Sequence, residues 1–563
     1  MYNNINTPLN KVLMSMKITS LLTKTQNTIL SAAFILAFAS GINAILGFVK
    51  ARLLAVHFGV SNSLAIFYTA DKIPNLIYTV LIVGAISTVF IPVFTSLLNK
   101  DEKEAFKVAS SIMIATFILF FILGALVFIF SEQIMATLAV GTFSQEEIRL
   151  GSNLIKIMIA SQLFLIAGSL ITSVLQSFKY FLIPAFAPII YNVGIILGTI
   201  FLSGKIGIYG PAVGVSFGAL FHFLIQTPLL KKIKFKFFLK LDFQNKSFKK
   251  MFGLVPPRIV GALTWNLIDT IQNSIALLIS AQSAVYLKFA GQLQGFPVTL
   301  VGLSMAAAML PTLSAQEKKD NMETFKQTFL TSFHQTMYLV MPISAILLIL
   351  RVPAIRIVFG VSTFPWEATV KTAHTLAFFA ISIFAQSAVY LFSRAFYALK
   401  DTVTPLITAV FTSLINILLS ILFVLKLNLG VWSIAFGFSI SSIINAALLL
   451  IVLNKKVGKF KFKNLFIPFA KIAWATAFMG IALWVPLRFL DEFVFDTTRT
   501  IYLLALTFVA GVSGITTYFF LTKWFKVSEV ELFYKLIRKL KPKPSHITPQ
   551  TLAHDKNGKS QFS

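Results

Sequence analysis

The chain alternates between long apolar runs and short polar connections over most of its length. Runs such as 110–129 and 407–424 reach the roughly 18 apolar residues that mark a membrane-spanning helix. Repeated along the chain, this pattern predicts about fourteen spans. They lie near residues 27–50, 65–97, 106–130, 152–177, 183–203, 210–229, 252–280, 285–314, 327–350, 368–397, 404–426, 430–453, 465–488 and 499–523.

Composition supports the membrane interpretation, because the chain is 57% hydrophobic and only 12% charged. A soluble protein could bury one such run, but this chain lacks the polar residues to cover about a dozen of them. Residues 1–26 are polar and basic, and the apolar run after them is too long for a signal-peptide core and has no evident cleavage site. The sequence therefore predicts an all-α polytopic membrane protein whose first span is retained.

The basic connections indicate the side of the membrane on which each loop lies. With an even number of spans both termini share one side, and the lysine-rich connections fall on alternate loops, at 100–107, 231–250, 318–319 and 455–463. The positive-inside rule makes these loops and both tails cytoplasmic. Much of the net charge of +29 is explained by this topology.

The same pattern divides the chain into segments. We predict a cytoplasmic N-terminal segment at 1–26, an N-lobe of six spans at 27–229, a basic cytoplasmic linker at 230–251 and a C-lobe of six spans at 252–453. A basic loop at 454–464, a final pair of spans at 465–523 and a cytoplasmic tail at 524–563 follow. Apolar residues recur in the tail at helical spacing up to Pro542, which predicts an amphipathic helix on the membrane surface and a disordered end.

The sequence favours some binding partners and argues against others. The linker KKIKFKFFLKLDFQNKSFKK (231–250) is basic enough for nucleic acid or for anionic phospholipid, and its place between two membrane lobes favours the phospholipid and no nucleic acid. The chain has no cysteine, its six histidines show no ligand spacing, and the G-x-x-x-x-G-K-[ST] motif is absent. We therefore predict no metal site, no cofactor and no bound nucleotide.

An internal repeat is visible at one offset. LQSFKYFLIP (175–184) resembles FYALKDTVTP (396–405), and ADKI (70–73) leading to Ile91-Pro92 resembles AGQL (290–293) leading to Leu310-Pro311. Both matches lie about 220 residues apart, which predicts two copies of a six-span unit in the same orientation, as in many transporters. Chance similarity between apolar segments is the alternative.

Four cations lie towards the outer ends of their predicted spans, where the positive-inside rule disfavours them: Lys50, Arg52, Lys72 and Lys288. Either they face a cavity between the lobes and hold an anion, or Asp71 and nearby polar groups satisfy them at the outer interface, with Asp71 as the local partner of Lys72. Arg258 and Arg394 lie towards the cytoplasmic ends and are interpreted as snorkelling anchors.

Membrane carboxylates and helix breakers sharpen this prediction. Asp71 and Asp269 are the intramembrane carboxylates, and so few of them favour an anionic substrate over a cationic one. The helix breakers occur at equivalent places in the two repeats and predict kinks beside a cavity, with packing kinks as the alternative. The hinge candidates are Pro74, Gly84, Gly295 and Pro297.

Five segments resemble one family, the MurJ/MviN-type lipid II flippases of the MOP exporter superfamily. They are LGFVKARLLAVHFG (46–59), KIPNLIYTVLIVGAISTVFIPVF (72–94), IPAFAPIIYN (183–192), GFPVTLVGLSMAAAMLPTLS (295–314) and RAFYALKDTVTP (394–405). The resemblance runs from about residue 27 to about residue 455 and implies fourteen spans, in two six-span lobes and a final pair. It also implies outward movement of undecaprenyl-pyrophosphate-linked peptidoglycan precursor by alternating access.

Carried over by position, the resemblance implies that Lys50 and Lys72 hold the pyrophosphate in a cationic cavity. The last two spans would form part of a groove for the isoprenoid tail. The chain departs from the family pattern where charges are usual, at Ala44, Ala51, Tyr78, Val83, Gly291 and Gln292. It is therefore either a divergent flippase that uses Lys50 and Lys72, with Lys288 one turn before Gln292, or a protein with a different substrate.

The prediction from sequence is a non-enzymatic lipid II flippase of the bacterial inner membrane. Lys50, Lys72, Lys288 and Arg52 are its candidate substrate-binding residues. Outward movement of an anionic headgroup gains about 2.3 kcal/mol per charge per 100 mV of inside-negative potential, so the membrane potential or a coupling ion would drive it. The alternatives are a flippase for another lipid-linked oligosaccharide, a drug/ion antiporter of the same superfamily, and a membrane scaffold for envelope synthesis.

Overall fold

The computed structural model describes residues 29–84, 90–242, 244, 249, 256–317, 322–495 and 499–531. Within these ranges the chain is helical and contains no strand. Among the described residues, three π-helical turns interrupt the helices, at Thr79–Gly84, Val298–Leu303 and Leu422–Lys426. The α-helices are α1 (Ile29–Phe58), α2 (Asn62–Ala70), α3 (Lys72–Tyr78), α4 (Phe90–Leu98), α5 (Glu102–Ile129), α6 (Ser131–Ala139), α7 (Gln145–Ser177), α8 (Leu182–Ile206), α9 (Tyr209–Leu224), α10 (Thr227–Lys232), α11 (Pro256–Ile279), α12 (Ala281–Pro297), α13 (Ser304–Ala315), α14 (Met322–Ile349), α15 (Arg351–Phe359), α16 (Trp366–Ala380), α17 (Ile383–Ala398), α18 (Val403–Ile421), α19 (Trp432–Lys456), α20 (Phe462–Phe493) and α21 (Thr500–Trp524).

The predicted all-α membrane class is confirmed. Eleven helices in the described part of the chain are long and apolar enough to cross a membrane, or twelve if α16 and α17, which meet at a bend of 42°, form one span. The predicted spans 65–97 and 252–280 are not among them. The first includes residues 85–89, outside the described ranges, and α11 in the second carries Asp269, Gln272 and Asn273. The count of fourteen stays a prediction, as do the structures assigned to 1–26 and to the tail beyond 531, which also lie outside the described ranges.

Glycine brings two helices of the N-lobe into backbone contact. Gly194 and Gly198 of α8 face Gly214 and Gly218 of α9, and a Cβ at any of them would lie within 2.4–2.7 Å of backbone atoms on the other helix. Neither helix can carry a larger residue at this seam without separating. The N-lobe therefore has a rigid pair that packs against α1 and α7.

Aromatic packing organises the C-lobe and the last two helices. Phe329 and Phe333 of α14 stack with Phe392 of α17, at ring-centroid distances of 5.7 and 5.8 Å. On another face of α14, the Tyr518 hydroxyl of α21 donates a hydrogen bond of 2.8 Å to the carbonyl oxygen of Tyr338. The final helix pair is thus anchored to the C-lobe through α14.

The internal repeat predicted from sequence has a structural counterpart. The first two π-helical turns, Thr79–Gly84 and Val298–Leu303, begin 219 residues apart, close to the offset of the sequence repeat. Lys179 and Lys400 both adopt a left-handed backbone, with φ of 64° and 59°. At each site the next amide closes the preceding helix with a 2.9 Å hydrogen bond to a carbonyl five residues earlier. Equivalent elements of the two lobes therefore end in the same way.

Candidate functional site

The candidate site is a cavity of about 380 Å³ between α3 of the N-lobe and several helices of the C-lobe. Two of the predicted binding residues, Lys72 and Lys288, and the hinge candidate Gly295 lie on its wall. The wall also carries the polar residues Asp269, Gln272, Asn273, Gln292, Gln294 and Gln386. The cavity wall therefore combines polar and charged side chains with apolar ones.

The three predicted lysines lie deeper than the sequence analysis expected. α1 does not end at residue 50 but continues to Phe58, where Gly59 closes it with φ of +57°. The second span begins with α2 at Asn62, capped by Ser61, and the eighth with α12 at Ala281, capped by Ser280. At 1.5 Å per residue, Lys50, Lys72 and Lys288 lie about 10–15 Å inside the helix ends. Lys72 and Lys288 lie on the cavity wall, whereas Lys50 does not.

Lys72 bridges the two lobes. It opens α3 directly after the junction at Asp71, and its side chain is 7% exposed. Its Nζ donates a 2.5 Å hydrogen bond to Asp269 Oδ2 on α11, together with a longer contact of 3.4 Å to the Asp269 carbonyl oxygen. The expected local partner, Asp71, is therefore not the group that binds Lys72. Asp71 precedes Lys72 in the chain, whereas packing of α11 against α3 brings Asp269 to the ammonium group.

Polar contacts continue along α11 from this ion pair. One turn further on, Asn273 Nδ2 donates to Thr69 Oγ1 at 3.0 Å, again between the lobes. Gln272 Nε2 donates to Asn416 Oδ1 at 3.0 Å, and Asn416 Nδ2 donates to Ser441 Oγ at 3.1 Å. Buried amides need such partners, so these contacts hold α11 at a fixed rotation. None of the three amides was predicted from the sequence, although the spacing of Gln272 and Asn273 from Asp269 was a usable signal.

Lys50 and Lys288 complete an electrostatic cluster with Lys72. Lys50 is partly buried on α1 and interacts with the negative charge of Asp71 and the positive charge of Lys288. Lys288 interacts with Lys72 and Asp269, and its Nζ lies 5.8 Å from the centre of the Tyr68 ring. The lysines outnumber the carboxylates, so the cluster has a net positive charge. An entering anion would be attracted to it.

Arg52 is not brought to the cavity. It follows Lys50 by two residues, which places it about 200° around the helix. Its exposed guanidinium donates from Nη1 to the carbonyl oxygens of Ile357 and Val358, at 2.7 and 2.8 Å. These carbonyls end α15, so Arg52 caps a helix of the other lobe. Its predicted role in substrate binding stays a prediction.

The hinge candidates flank the first two π-helical turns. Pro74 is buried in α3, and Gly84 is the last residue of the first turn. Gly295 and Pro297 precede the second turn, and a Cβ at Gly295 would meet no atom within 4 Å. A π-turn inserts a residue into the helical repeat and weakens the local hydrogen bonding. Their role as hinges stays a prediction.

Further hydrogen bonds between the lobes lie at the helix ends that the predicted topology places outside. Thr363 Oγ1 donates to the Ala55 carbonyl oxygen at 2.7 Å, and Thr142 Oγ1 donates to that of Leu277 at 2.7 Å. Gln282 Nε2 donates to Asn62 Oδ1 at 3.1 Å. With the Arg52 cap, these contacts close the lobes at that end of the cavity.

Helical lobes closed at one end around a polar, cationic cavity define a multi-pass membrane transporter. The family model described as "Lipid II flippase MurJ" matches residues 54–504. A probable lipid II flippase MurJ of Buchnera aphidicola subsp. Acyrthosiphon pisum (strain APS) is 30% identical over 505 residues, which cover 88% of this chain and 97% of that relative. The chain therefore belongs to the lipid II flippase MurJ family.

Other relatives and solved structures agree with this assignment. A probable lipid II flippase MurJ of Thermotoga maritima (strain ATCC 43589 / DSM 3109 / JCM 10099 / NBRC 100826 / MSB8) is 27% identical over 88% of this chain and 97% of its own length. The structure of a lipid II flippase MurJ in an inward closed conformation aligns with a TM-score of 0.73 and 25% identity, covering 90% of this chain and all of that one. An inward-facing multidrug resistance MATE transporter of the MOP superfamily aligns with a TM-score of 0.63 at 15% identity, over 74% of this chain and 94% of that one, which shows a shared fold.

Proposed function

We propose that this protein is a flippase that moves lipid II across the bacterial inner membrane, with both termini in the cytoplasm, and that it catalyses no covalent chemistry. The observation that carries the proposal is the cationic cavity between the lobes in a chain of the MurJ family. A pyrophosphate-linked headgroup is anionic, and this cavity offers lysines where a cation transporter needs carboxylates.

In this mechanism Lys50, Lys72 and Lys288 bind the pyrophosphate as point charges. The cavity also offers hydrogen-bonding groups for the sugar-peptide part of the headgroup. Gln294 Nε2 and Gln292 Oε1 are buried on its wall and have no hydrogen-bond partner among the described residues. Such groups are expected to bind a ligand or water, since a buried polar atom without a partner is unfavourable.

Transport would follow from alternate opening of the two ends of the cavity. The lobes are held together at the ends assigned to the outside, so the cargo would enter from the cytoplasmic side. Opening at the outer end would then release it, driven by the membrane potential or a coupling ion. The lysine-rich linker would rest on anionic phospholipid of the cytoplasmic leaflet, without a nucleic-acid partner.

A flippase for another undecaprenyl-linked glycan is the second candidate. Gly291 and Gln292 are two of the positions where the family resemblance implies charges, and both line the cavity. The loss of two charges from the wall changes the groups available to a headgroup while leaving the lysines for the pyrophosphate. This observation favours a different glycan rather than a different class of cargo.

Complementation of a conditional flippase-deficient bacterium tests the proposal. We expect the wild-type chain to restore growth, and a variant with Lys50, Lys72 and Lys288 all changed to Gln to fail. The matched control changes Lys205, Lys371 and Lys426 to Gln, three lysines outside both this cluster and the cavity wall, and should restore growth. Rescue by the first triple variant would contradict the assigned site. Failure of well-expressed wild type would contradict lipid II as cargo.

A further inference from the structure

The Lys72–Asp269 ion pair has a special position among the charged contacts. Of the ion pairs formed between described residues, it alone joins the two lobes. Lys72 is almost fully buried, whereas the Asp269 side chain is 53% exposed, and this exposure is to the cavity that it lines. An anion inside the cavity can therefore approach the pair from the side of Asp269.

Lys72 cannot lose its partner without a replacement. Removing one member of a buried ion pair leaves an uncompensated charge, which is strongly unfavourable. Asp269 is more exposed than Lys72 and lines the same cavity as Lys288, so an anion that displaces its carboxylate must compensate both lysines.

We propose that Asp269 is the internal counter-ion of the cargo site and sets its selectivity for pyrophosphate. This inference rests on the proposed function. In the empty cavity the Asp269 carboxylate forms an ion pair with Lys72, and an incoming anion binds Lys72 only if it displaces that carboxylate. A pyrophosphate diester carries two acidic oxygens, whereas the phosphodiester of an ordinary phospholipid carries one. The pyrophosphate can compensate Lys72 and Lys288 together, and the phosphodiester cannot.

Displacement has a mechanical consequence. Asp269 and Asn273 are the residues of α11 that bind Lys72 and Thr69 of the N-lobe. When pyrophosphate replaces Asp269 at Lys72, the ion pair between the lobes is lost and the Asn273–Thr69 hydrogen bond remains. The same event that recognises the cargo therefore loosens the lobes, and phospholipids that enter the cavity leave the lobes closed. Asp269 acts on the cargo through Lys72, so it is a positioning residue.

The first test measures selectivity in purified, full-length protein. Undecaprenyl pyrophosphate and phosphatidylglycerol are titrated in detergent, and the ratio of their apparent affinities is compared between variants. We expect Asp269→Asn to lower this preference for pyrophosphate by about tenfold, equivalent to about 1.4 kcal/mol, because the competing carboxylate is gone. Asp242→Asn is the matched control, because Asp242 is an exposed carboxylate that does not line the cavity, and it should leave the ratio unchanged. An unchanged ratio in Asp269→Asn overturns the proposal.

The second test measures closure of the lobes and needs no lipid II. Asn62→Cys and Gln282→Cys place two thiols at the outer contact in a chain that has no cysteine of its own. We expect efficient cross-linking in the empty protein, loss of most of it with undecaprenyl pyrophosphate, and no loss with phosphatidylglycerol. Asp269→Asn should lose cross-linking without ligand, whereas Asp269→Glu and the exchanged pair Lys72→Asp with Asp269→Lys should retain it.

These outcomes separate the inference from the proposed function. Failed complementation together with the expected cross-linking pattern rejects lipid II as cargo and leaves the role of Asp269 intact. Cross-linking of Asp269→Asn at the wild-type level rejects the counter-ion, whatever the complementation result. Thermal unfolding of each variant shows that a loss of cross-linking is not a loss of the fold, and Asp269→Glu provides the folded reference.

Discussion

Two glycines in the same interrupted span meet different surroundings. A Cβ at Gly302, inside the second π-helical turn, would lie 2.9 Å from the Ser387 Cα of α17, whereas a Cβ at Gly295 would meet nothing within 4 Å. Gly302 is therefore required for close approach of two helices. Gly295 instead leaves open space beside the cavity that it lines.

We expect Gly302→Ala to destabilise the protein by about 1–3 kcal/mol, because the methyl group meets backbone that cannot move aside easily. Gly295→Ala is the matched control and should leave the free energy of unfolding nearly unchanged. Thermal unfolding of the purified proteins in detergent measures the difference. Equal stability of the two variants would contradict the packing at the π-turn.

At the scale of elements, Asp401 connects two helices that meet beyond the membrane-spanning segments. It lies just before α18, where Oδ1 accepts hydrogen bonds from the Val403 and Thr404 amides at 3.1 and 2.9 Å. Its Oδ2 accepts a 2.6 Å hydrogen bond from Lys456 Nζ at the end of α19. Partial burial on its own raises the pKa of Asp401, but the hydrogen bonds from Lys456 and Thr404 outweigh it and lower the pKa to about 2.

The lowered pKa predicts how stability depends on pH. An unfolded Asp has a pKa of about 3.9, so the contribution of Asp401 is complete above that value and is lost as the pH falls towards 2. We expect Asp401→Ala to unfold at a lower temperature than wild type near pH 6, and the gap to narrow below about pH 4.

The control for this prediction is Asp101→Ala. Asp101 also caps a helix, with Oδ1 accepting from the Lys103 and Glu104 amides at 2.9 and 3.1 Å, but no ion pair of Asp101 is formed among the described residues. Its removal should have a smaller effect. A gap for Asp401→Ala that is constant from pH 6 to pH 2.5 would contradict the role of the ionised carboxylate.

The sequence pattern predicted the interrupted helices better than it predicted the helix ends. Proline and glycine in matched places of the repeat predicted interrupted spans, and π-turns are found there, because breakers weaken the α-helical hydrogen bonds in both copies. The helix ends were missed by several residues at α1 and α12. Apolar runs mark where lipid contact ends, whereas the helices continue until a left-handed glycine or a serine cap stops them.

At the scale of the whole molecule, the sequence did not predict which polar groups far apart in the chain bind each other. Lys72 was identified because a lysine at an outer helix end is unusual, but its partner lies 197 residues away on α11. The carbonyls that Arg52 caps are 305 and 306 residues away. Hydrophobic pattern predicts which residues enter the membrane, whereas the pairing of polar groups between lobes depends on how the assembled helices rotate against each other.

Closure of the lobes at one end predicts sided access to the cavity. Thr299 is an exposed residue on the cavity wall, and Trp366 is 61% exposed at the end assigned to the outside. In the cysteine-free chain, we expect Thr299→Cys to react with a membrane-impermeant thiol reagent in inverted membrane vesicles and only slowly in spheroplasts. Trp366→Cys should show the opposite pattern, because it lies beyond the closed end.

A pyrophosphate-bearing lipid should increase labelling of Thr299→Cys from outside as the lobes part, with Trp366→Cys unaffected. Labelling of Thr299→Cys from outside alone would contradict closure at that end, and labelling of Trp366→Cys from inside alone would reverse the topology.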